Sequence, residues 1–154
     1  MMVGTVIGIA RHAVPKGSME VIDHVGVTTD GGLAGDFRGR VKPGGRGRRQ
    51  VTLMERGDWI AALAEIDRSI PWQERRVNLL VDGFDLPKAS GTLIRIGADV
   101  VLAITTECDP CYRMDAIAPG LQAALSTDWR GGACTRVRQG GRIAIGDQIR
   151  IEEP

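Results

Sequence analysis

Short stretches in which apolar residues alternate with polar or small ones fill most of the chain. Near the N-terminus, Val3, Thr5, Ile7 and Ile9 alternate with small residues, which is the two-residue period of a half-buried strand. Similar stretches rich in β-branched residues recur downstream, and many of the 21 glycines punctuate them in pairs. The pattern predicts strands at residues 3–10, 21–28, 50–53, 77–81, 93–96, 100–106, 133–138 and 148–152.

Two segments have a helical period instead. In residues 54–67 the apolar residues at helical spacing are Trp59, Ile60, Leu63 and Ile66. Thr52 and Glu55 before them have the form of a capping box, so a core-facing helix is predicted here. A second helix is predicted at residues 119–126, because Pro119 is acceptable in a first turn and an apolar face follows it.

The chain has 154 residues, of which 43% are hydrophobic, enough to bury the core of one domain spanning residues 1–154. Many short strands with about two short helices predict a mainly β protein. We expect the strands to form a closed or nearly closed β-barrel, since closure leaves few exposed edges.

The N-terminal residues have no basic leader, long apolar run or cleavage-like site, and no 18-residue apolar run occurs elsewhere. Three cysteines are an odd number, which argues against a disulfide framework. We therefore expect a cytoplasmic protein with no membrane partner. The pattern does not decide the oligomeric state.

The net charge of +1 conceals an uneven distribution. Six of the 20 basic residues lie within residues 38–49, which contain no acid: Arg38, Arg40, Lys42, Arg46, Arg48 and Arg49. The other 14 basic residues stand against 19 acidic ones, a balance of −5. The local patch favours a phosphate-bearing or otherwise anionic ligand over a long nucleic-acid track.

The predicted strand 100–106 leads into Cys108-Asp109-Pro110-Cys111, where the proline ends the ladder. A strand end places a reactive group on a rigid sheet while the loop gives access to it. Arg113, two residues beyond Cys111, favours the thiolate form of that cysteine.

Taken alone, the Cys-x-x-Cys pair leaves several interpretations open. Structural zinc needs two more ligands, which Cys134, His12 and His24 do not supply at recognisable spacing. A thioredoxin-like pair needs a helix opening at the first cysteine, whereas the predicted helix begins later. Plain burial of two small residues in a turn is the third interpretation.

Further short motifs occur in a fixed order along almost the whole chain. They are Val14-Pro15-Lys16-Gly17-Ser18-Met19, Gly32-Leu33-Ala34-Gly35-Asp36-Phe37-Arg38, Arg75-Arg76-Val77-Asn78-Leu79-Leu80-Val81-Asp82-Gly83, Ile96-Gly97, Pro110-Cys111, Gly131-Gly132-Ala133 and Gly146-Asp147. Each motif is weak, but the ordered set resembles the MOSC family, whose members form a β-rich barrel. That family includes the sulfur-transfer portion of molybdenum-cofactor sulfurases and the cofactor-binding portion of amidoxime-reducing molybdenum enzymes.

The resemblance implies site residues. Cys111 matches the family's defining cysteine, which carries a transferable sulfur or ligates molybdenum, and both roles require a thiolate. Arg76 and Asn78 match the family's Arg-x-Asn cofactor contacts, and Lys16 and Arg38 match basic residues near the pterin phosphate. A guanidinium forks onto two phosphate oxygens, and an amide can satisfy a pterin edge. Without the resemblance, a solvated strand entrance would be the simpler interpretation of Arg75, Arg76 and Asn78.

Several residues remain without an assigned role. Many family members have a histidine-containing segment near residues 44–49, and the arginine-glycine loop found here bears on the substrate more than on cofactor binding. His24 lies in a predicted strand and is expected to be a hydrogen-bonded structural histidine, and His12 has no assigned role. Cys134 is expected to be buried. Cys108 could resolve an oxidised or persulfidated Cys111 if the turn brings the two thiols together.

The first functional hypothesis is a protein that binds the molybdenum cofactor (molybdopterin), permanently or transiently, and uses Cys111 in sulfur relay or in reduction of N-hydroxylated compounds. A relay needs a persulfide donor such as a pyridoxal-phosphate-dependent desulfurase, and a reductase needs an electron-transfer partner, because no flavin, haem or iron–sulfur motif is present. The alternative is a noncatalytic module whose Arg38 to Arg49 loop binds nucleic acid or an acidic partner. Sparse aromatic residues argue against nucleic acid.

Overall fold

The computed structural model describes residues 2–152 of the chain. The strands are β1 (Val3–Arg11), β2 (Glu20–Ile22), β3 (His24–Thr28), β4 (Gly32–Leu33), β5 (Val51–Glu55), β6 (Leu79–Asp82), β7 (Leu93–Ile96), β8 (Val100–Glu107), β9 (Ala133–Gln139), β10 (Gly141–Ala144) and β11 (Gln148–Ile151). The α-helices are α1 (Arg56–Glu65), α2 (Arg113–Ile117) and α3 (Leu121–Ser126). Short 3-10 turns lie at Phe37–Gly39, Trp72–Arg75 and Thr127–Trp129.

Seven strands close into a barrel in the order β11-β7-β8-β9-β5-β6-β1, with β1 pairing back onto β11. The predicted mainly β fold with a closed barrel is confirmed. Strand β2 extends the barrel at the C-terminal half of β1, and β10, β3 and β4 form a separate small sheet. Closure matters for the site because it brings together, at one end of the barrel, the ends of strands that are distant in sequence.

The barrel interior holds one hydrophobic core, and a second core lies between its outer wall and the helices. Leu53 and Val81 point inward, whereas Met54 and Leu80 pack outward with Trp59 of α1. Strands β5 and β6 are therefore buried on both faces, which is why their sequences lack a clean alternation of apolar and polar residues. They are also the parallel pair of the barrel, and α1 provides the crossover that parallel strands require.

The first strand shows how an irregularity changes a simple pattern. Val3 and Ile7 point outward, 42% and 37% exposed, whereas Val6 lies in the core. A register shift between Val6 and Gly8 then turns Ile9 into the core as well. A bulge reverses the facing of residues beyond it, so the apolar alternation was a correct sign of a strand but not of one continuous face.

The capping box predicted for α1 is wrong. The Thr52 hydroxyl donates to Asn78 Oδ1 at 3.2 Å, and Glu55 makes no side-chain cap but accepts the Leu86 N–H at 3.1 Å. The helix is also shorter than residues 54–67, and Ile60 is 48% exposed rather than in the core. Both side chains therefore hydrogen-bond residues that are distant in sequence, instead of the first turn of α1.

The helices after Cys111 also differ from the prediction. The helix predicted at residues 119–126 begins at Leu121, after Gly120 with φ of +89°. An unpredicted helix, α2, begins at Arg113, two residues beyond Cys111. Within residues 2–152, no helix has the length and apolar character needed to cross a membrane.

The strand predictions locate most of the barrel. The predicted strand 21–28 is two strands interrupted at Asp23, strands β5 and β6 begin one and two residues later than predicted, and β4 and β10 were not predicted. His24 lies at the start of β3 and is hydrogen-bonded as expected, with 2.6 Å between His24 Nδ1 and Asp23 Oδ1, but its side chain is exposed.

Candidate functional site

Two adjoining cavities lie at one end of the barrel and share Arg76. The first, called here the polar cavity, is lined by His12, Asp36, Arg38, Arg49, Thr52, Arg76 and Asn78. The second, called the lysine cavity, has a volume of about 250 Å³ and is lined by Lys16, Gly17, Ser18, Met19, Gln73, Glu74 and Arg76. Four residues predicted to contact a cofactor, Lys16, Arg38, Arg76 and Asn78, thus line two adjoining cavities that share one side chain.

Asn78 sits where three strands meet. Its Oδ1 accepts the backbone N–H of Thr52 at 3.0 Å as well as the Thr52 hydroxyl, and its Nδ2 donates to the Ala10 carbonyl at 3.1 Å. An amide nitrogen has two hydrogens, so one N–H of Asn78 remains for a ligand. The side chain fixes the floor of the polar cavity and offers one donor to it.

His12 and Asp36 form a buried pair that the sequence did not single out as site residues. The His12 backbone N–H donates to Asp36 Oδ1 at 3.1 Å, and His12 Nδ1 lies 3.5 Å from the same oxygen. His12 Nδ1 and Asp36 Oδ2 are buried and have no hydrogen-bond partner within residues 2–152. Leaving a buried polar atom unpaired costs about 1–3 kcal/mol, so both atoms favour a ligand that would satisfy them.

The charges around the polar cavity act on each other. Burial lowers the pKa of His12 despite the opposing effect of Asp36, and the Arg76 and Arg38 charges lower it further, so its imidazole is neutral at neutral pH. Burial also lowers the pKa of Arg38, as do the charges of Arg49, Arg113 and Arg76. An anion entering this site would relieve the repulsion among the guanidinium groups.

Two of the lining residues have a left-handed backbone conformation, which residues other than glycine rarely adopt. Lys16 has φ of +59° and Arg76 has φ of +69°. Such a conformation costs about 1–3 kcal/mol per residue and clusters at functional sites, although Asp67, Asp128 and Trp129 adopt it away from the two cavities. The strain coincides with the two cations that flank the lysine cavity.

Cys111 lies in the segment between β8 and α2 and its side chain is exposed, in contrast to Cys108 and Cys134, which are buried. Its carbonyl accepts the Met114 N–H at 2.9 Å, which anchors it to the first turn of α2. Cys111 itself lines neither cavity, and its link to the polar cavity is Arg113 in that turn, whose charge lowers the pKa of Arg38. An accessible thiol with basic side chains nearby is suited to nucleophilic or metal-binding chemistry.

Arg75 is buried rather than solvated. Its Nη2 donates to the Cys108 carbonyl at 2.8 Å and the Gly131 carbonyl at 3.0 Å, and lies 3.5 Å from Cys108 Sγ. A hydrogen bond from the Cys134 thiol, with the Arg75 charge, lowers the pKa of Cys108 against the effect of burial. Cys108 is therefore oriented toward Arg75 and Cys134, and the expected burial of Cys134 is observed.

The sequence missed His12, Asp36 and Arg49 as lining residues and Arg75 as a buried clamp. Asp36 and Arg75 lie within quoted motifs and Arg49 lies in the basic patch, whereas no sequence signal marked His12 as a lining residue. Within residues 2–152 no group of three or more His, Cys, Asp or Glu side chains is placed to hold a metal. A larger open groove of about 750 Å³, lined in part by Ile7, Val21 and Trp72, contains none of the predicted site residues.

Comparisons with known proteins agree with this architecture. The family model of the MOSC domain matches residues 30–150. YuaD from Bacillus subtilis has a TM-score of 0.76 and 18% identity, with 96% of this chain and 94% of that chain covered. YiiM from Escherichia coli has a TM-score of 0.70 and 13% identity, covering 97% and 70%.

YiiM from Geobacillus stearothermophilus has a TM-score of 0.67 and 15% identity, covering 99% of this chain and 75% of that one. At these identities the structural similarities establish the fold alone. No curated protein sequence matches the chain significantly.

Proposed function

The chain belongs to the MOSC domain family, a family associated with molybdenum cofactor binding, and on this premise we propose that it binds molybdopterin and uses the thiol of Cys111. The observation that carries the proposal is that Lys16, Arg38, Arg76 and Asn78 line two adjoining cavities, with Arg113, two residues beyond Cys111, near enough for its charge to act on Arg38.

The side chains fit the anionic end of such a cofactor. Arg38 and Arg76 can each present a fork of N–H donors to phosphate oxygens, and Lys16 adds a point charge at the outer cavity. The unpaired His12 Nδ1 and Asp36 Oδ2, and the free N–H of Asn78, offer an acceptor or donor to the polar edge of a pterin. The lysine cavity, at about 250 Å³, lies just below the usual range of small-molecule site volumes, and the polar cavity has a volume of only about 10 Å³, so most of the ligand would lie outside both cavities.

When bound, the cofactor would supply a molybdenum centre for redox chemistry, with Cys111 as the candidate protein ligand. In a sulfur relay, Cys111 would instead carry a sulfur received from a persulfide donor, such as a pyridoxal-phosphate-dependent desulfurase. In a reductase of N-hydroxylated compounds, an electron-transfer protein would be required. We propose a cytoplasmic setting for either, since the three free cysteines suit a reducing compartment.

The test is metal analysis and intact mass of protein expressed in a host that makes molybdenum cofactor, comparing the parent with Cys111→Ser and with Cys108→Ser as the matched thiol control. We expect molybdenum and pterin, or a reducible added sulfur, on the parent and on Cys108→Ser but not on Cys111→Ser. Molybdenum supports the cofactor-holding enzyme, and added sulfur supports the relay. Neither signal in folded parent protein would contradict both and favour a noncatalytic binding module.

A further inference from the structure

We propose that the basic loop, defined as residues 40–49, and the exposed aromatic residues Phe37 and Tyr112 form a docking surface for an acidic protein that approaches Cys111. The inference rests on the proposed function of Cys111, since sulfur relay and reduction both require a protein to reach this thiol. It assigns that partner a chemistry, namely a compact surface rich in Asp and Glu.

The cations of the basic loop are available for a partner. Arg40, Lys42, Arg46 and Arg48 are exposed and take part in none of the ion pairs found within residues 2–152. They also line neither the polar cavity nor the lysine cavity. A cofactor phosphate is already provided for by Lys16, Arg38 and Arg76, so the loop carries surplus positive charge.

The loop is held next to the Cys111 segment. The Thr105 hydroxyl, near the end of β8, donates to the Arg48 carbonyl at 2.5 Å. Strand β8 leads directly into the segment that carries Cys111. Arg49, at the end of the loop, and Arg113, two residues beyond Cys111, both lower the pKa of Arg38 through their charges. These contacts place the positive charge of the loop and the thiol at the same end of the molecule.

Two exposed aromatic side chains flank this charge. Tyr112, adjacent to Cys111, is 73% exposed, and Phe37, adjacent to Arg38, is 48% exposed. Tyrosine, phenylalanine and arginine are enriched in protein–protein interfaces, where aromatic side chains act as anchors and surrounding charges set orientation and association rate. The position of Tyr112 next to Cys111 in the chain fits a partner that must bring its own reactive group close to this thiol.

The charge distribution favours an acidic protein over nucleic acid. Outside residues 38–49 the chain has 14 basic and 19 acidic residues, a balance of −5, so a long polyanion extending past the loop would meet repulsion. A compact acidic surface can cover the loop without contacting the rest of the molecule. Two exposed aromatic residues are also too few for the base-stacking platform of a single-strand binder.

The experiment uses a polyglutamate peptide and a single-stranded oligonucleotide with the same number of charges, each titrated against the full chain at several salt concentrations. Binding is followed by fluorescence anisotropy, and access to Cys111 by its alkylation rate with iodoacetamide, resolved by mass. We expect polyglutamate to bind more tightly than the oligonucleotide, to weaken with salt, and to slow alkylation of Cys111.

Two matched triple variants separate the effect of the basic loop on binding from the effect of the protein's net charge. Lys42→Gln/Arg46→Gln/Arg48→Gln should weaken polyglutamate binding about tenfold, at roughly half a kcal/mol per exposed charge. Arg56→Gln/Arg68→Gln/Arg142→Gln removes as many exposed charges elsewhere and should change affinity little. Equal losses in both variants, tighter oligonucleotide binding, or polyglutamate binding that leaves Cys111 alkylation unchanged would each overturn the inference.

Cofactor content distinguishes this inference from the proposed function. The loop variant, expressed in a host that makes the cofactor, should retain as much pterin as the parent, and loss of pterin would assign the loop to the cofactor site and overturn the docking surface. If Cys111→Ser keeps both cofactor and added sulfur at parental levels, the proposed function fails and the inference that rests on it fails too. Absence of polyglutamate binding in a cofactor-loaded parent overturns the docking surface alone.

Discussion

Arg75 illustrates how one residue can couple the reactive segment to the barrel. A buried guanidinium is costly unless its donors are satisfied, and here Nη2 bonds carbonyls from both sides of the β8–β9 pair, at Cys108 and Gly131. Within residues 2–152 its Nε has no partner, and its charge lowers the pKa of the Cys108 thiol and opposes the rise in the pKa of Glu107. Arg75 therefore fixes the start of the Cys111 segment, and Arg76 next to it lines both cavities.

At the same scale, Glu55 gives the protein a pH-dependent stability. Burial, together with Asp58 and Asp85, raises the pKa of Glu55 from 4.5 to about 7 despite the hydrogen bond from Leu86. The folded state holds this proton more tightly than the unfolded chain, so stability falls as pH rises from 4.5 to about 7 and levels off above that. Below pH 4.5 the carboxyl is protonated in both states and contributes no difference.

We therefore expect Glu55→Gln, which keeps an acceptor for the Leu86 N–H, to flatten the fall in stability across this window. Above pH 7 the variant should be more stable by about 1 kcal/mol, a value reduced for partial solvent exposure. Urea unfolding at a series of pH values measures this difference, with the exposed Glu74→Gln as control. An unchanged pH slope in Glu55→Gln would contradict the assignment.

At the scale of elements, the start of β9 is a point of close backbone contact. A Cβ added at Gly132 would lie 2.0 Å from the Leu53 carbonyl oxygen, and the residue has φ of +104°. The Gly132 carbonyl also accepts the Cys108 N–H at 2.8 Å. Glycine here lets β9 approach β5 while holding the strand end that leads to Cys111.

Gly132→Ala should destabilise the protein by about 3 kcal/mol or more, because it adds a steric clash to backbone strain. Gly146→Ala is the matched control, since Gly146 has φ of +95° and an added Cβ there would meet no atom within 4 Å. The control should cost about 1–2 kcal/mol from the backbone alone. Comparing urea midpoints of the two variants tests the clash, and equal losses would show that backbone strain accounts for both.

The sequence predicted elements where the local pattern was sufficient. Strand β7 was located from its own residues. Strands β4 and β10 were missed because they are short and contain glycine, and α2 was missed because five residues are too few to show a helical period. Thr52 and Glu55 resembled a cap because their spacing is local, but the structure uses both across the barrel. Local spacing does not report such long-range partners.

The candidate site was predictable only through the family resemblance. Lys16 and Arg38 come from two separate motifs and Arg76 and Asn78 from a third, and the proximity of the three motifs depends on barrel closure. His12 and Asp36 are 24 positions apart and meet through a backbone hydrogen bond. No periodicity relates them, so their pairing could not be read from the sequence.

At the scale of the whole molecule, β11 completes the barrel by pairing with both β1 and β7. Ile149 is fully buried in the barrel interior, whereas Ile151 on the same strand is 37% exposed. The same substitution at the two positions therefore separates core packing at the closure from the effect of changing the strand itself.

We expect Ile149→Ala to cost about 2–4 kcal/mol, through lost apolar burial and the cavity left behind, and Ile151→Ala to cost less than about 1 kcal/mol. Chemical denaturation gives both values, and thermal unfolding should show a single cooperative transition for each variant. Similar costs at the two positions would contradict a closed barrel whose interior is filled by Ile149.

The pairing of β1 with β11 also affects how this domain can be combined with other sequences. Val3 lies opposite Arg150, so the two ends of the fold are about 5 Å apart across one ladder. A host polypeptide could enter and leave the barrel at nearly the same point, which is the geometry that favours domain insertion and circular permutation. The exposed 44–45 glycine pair in the basic loop, at the site end, would be the natural place to open such a permutant.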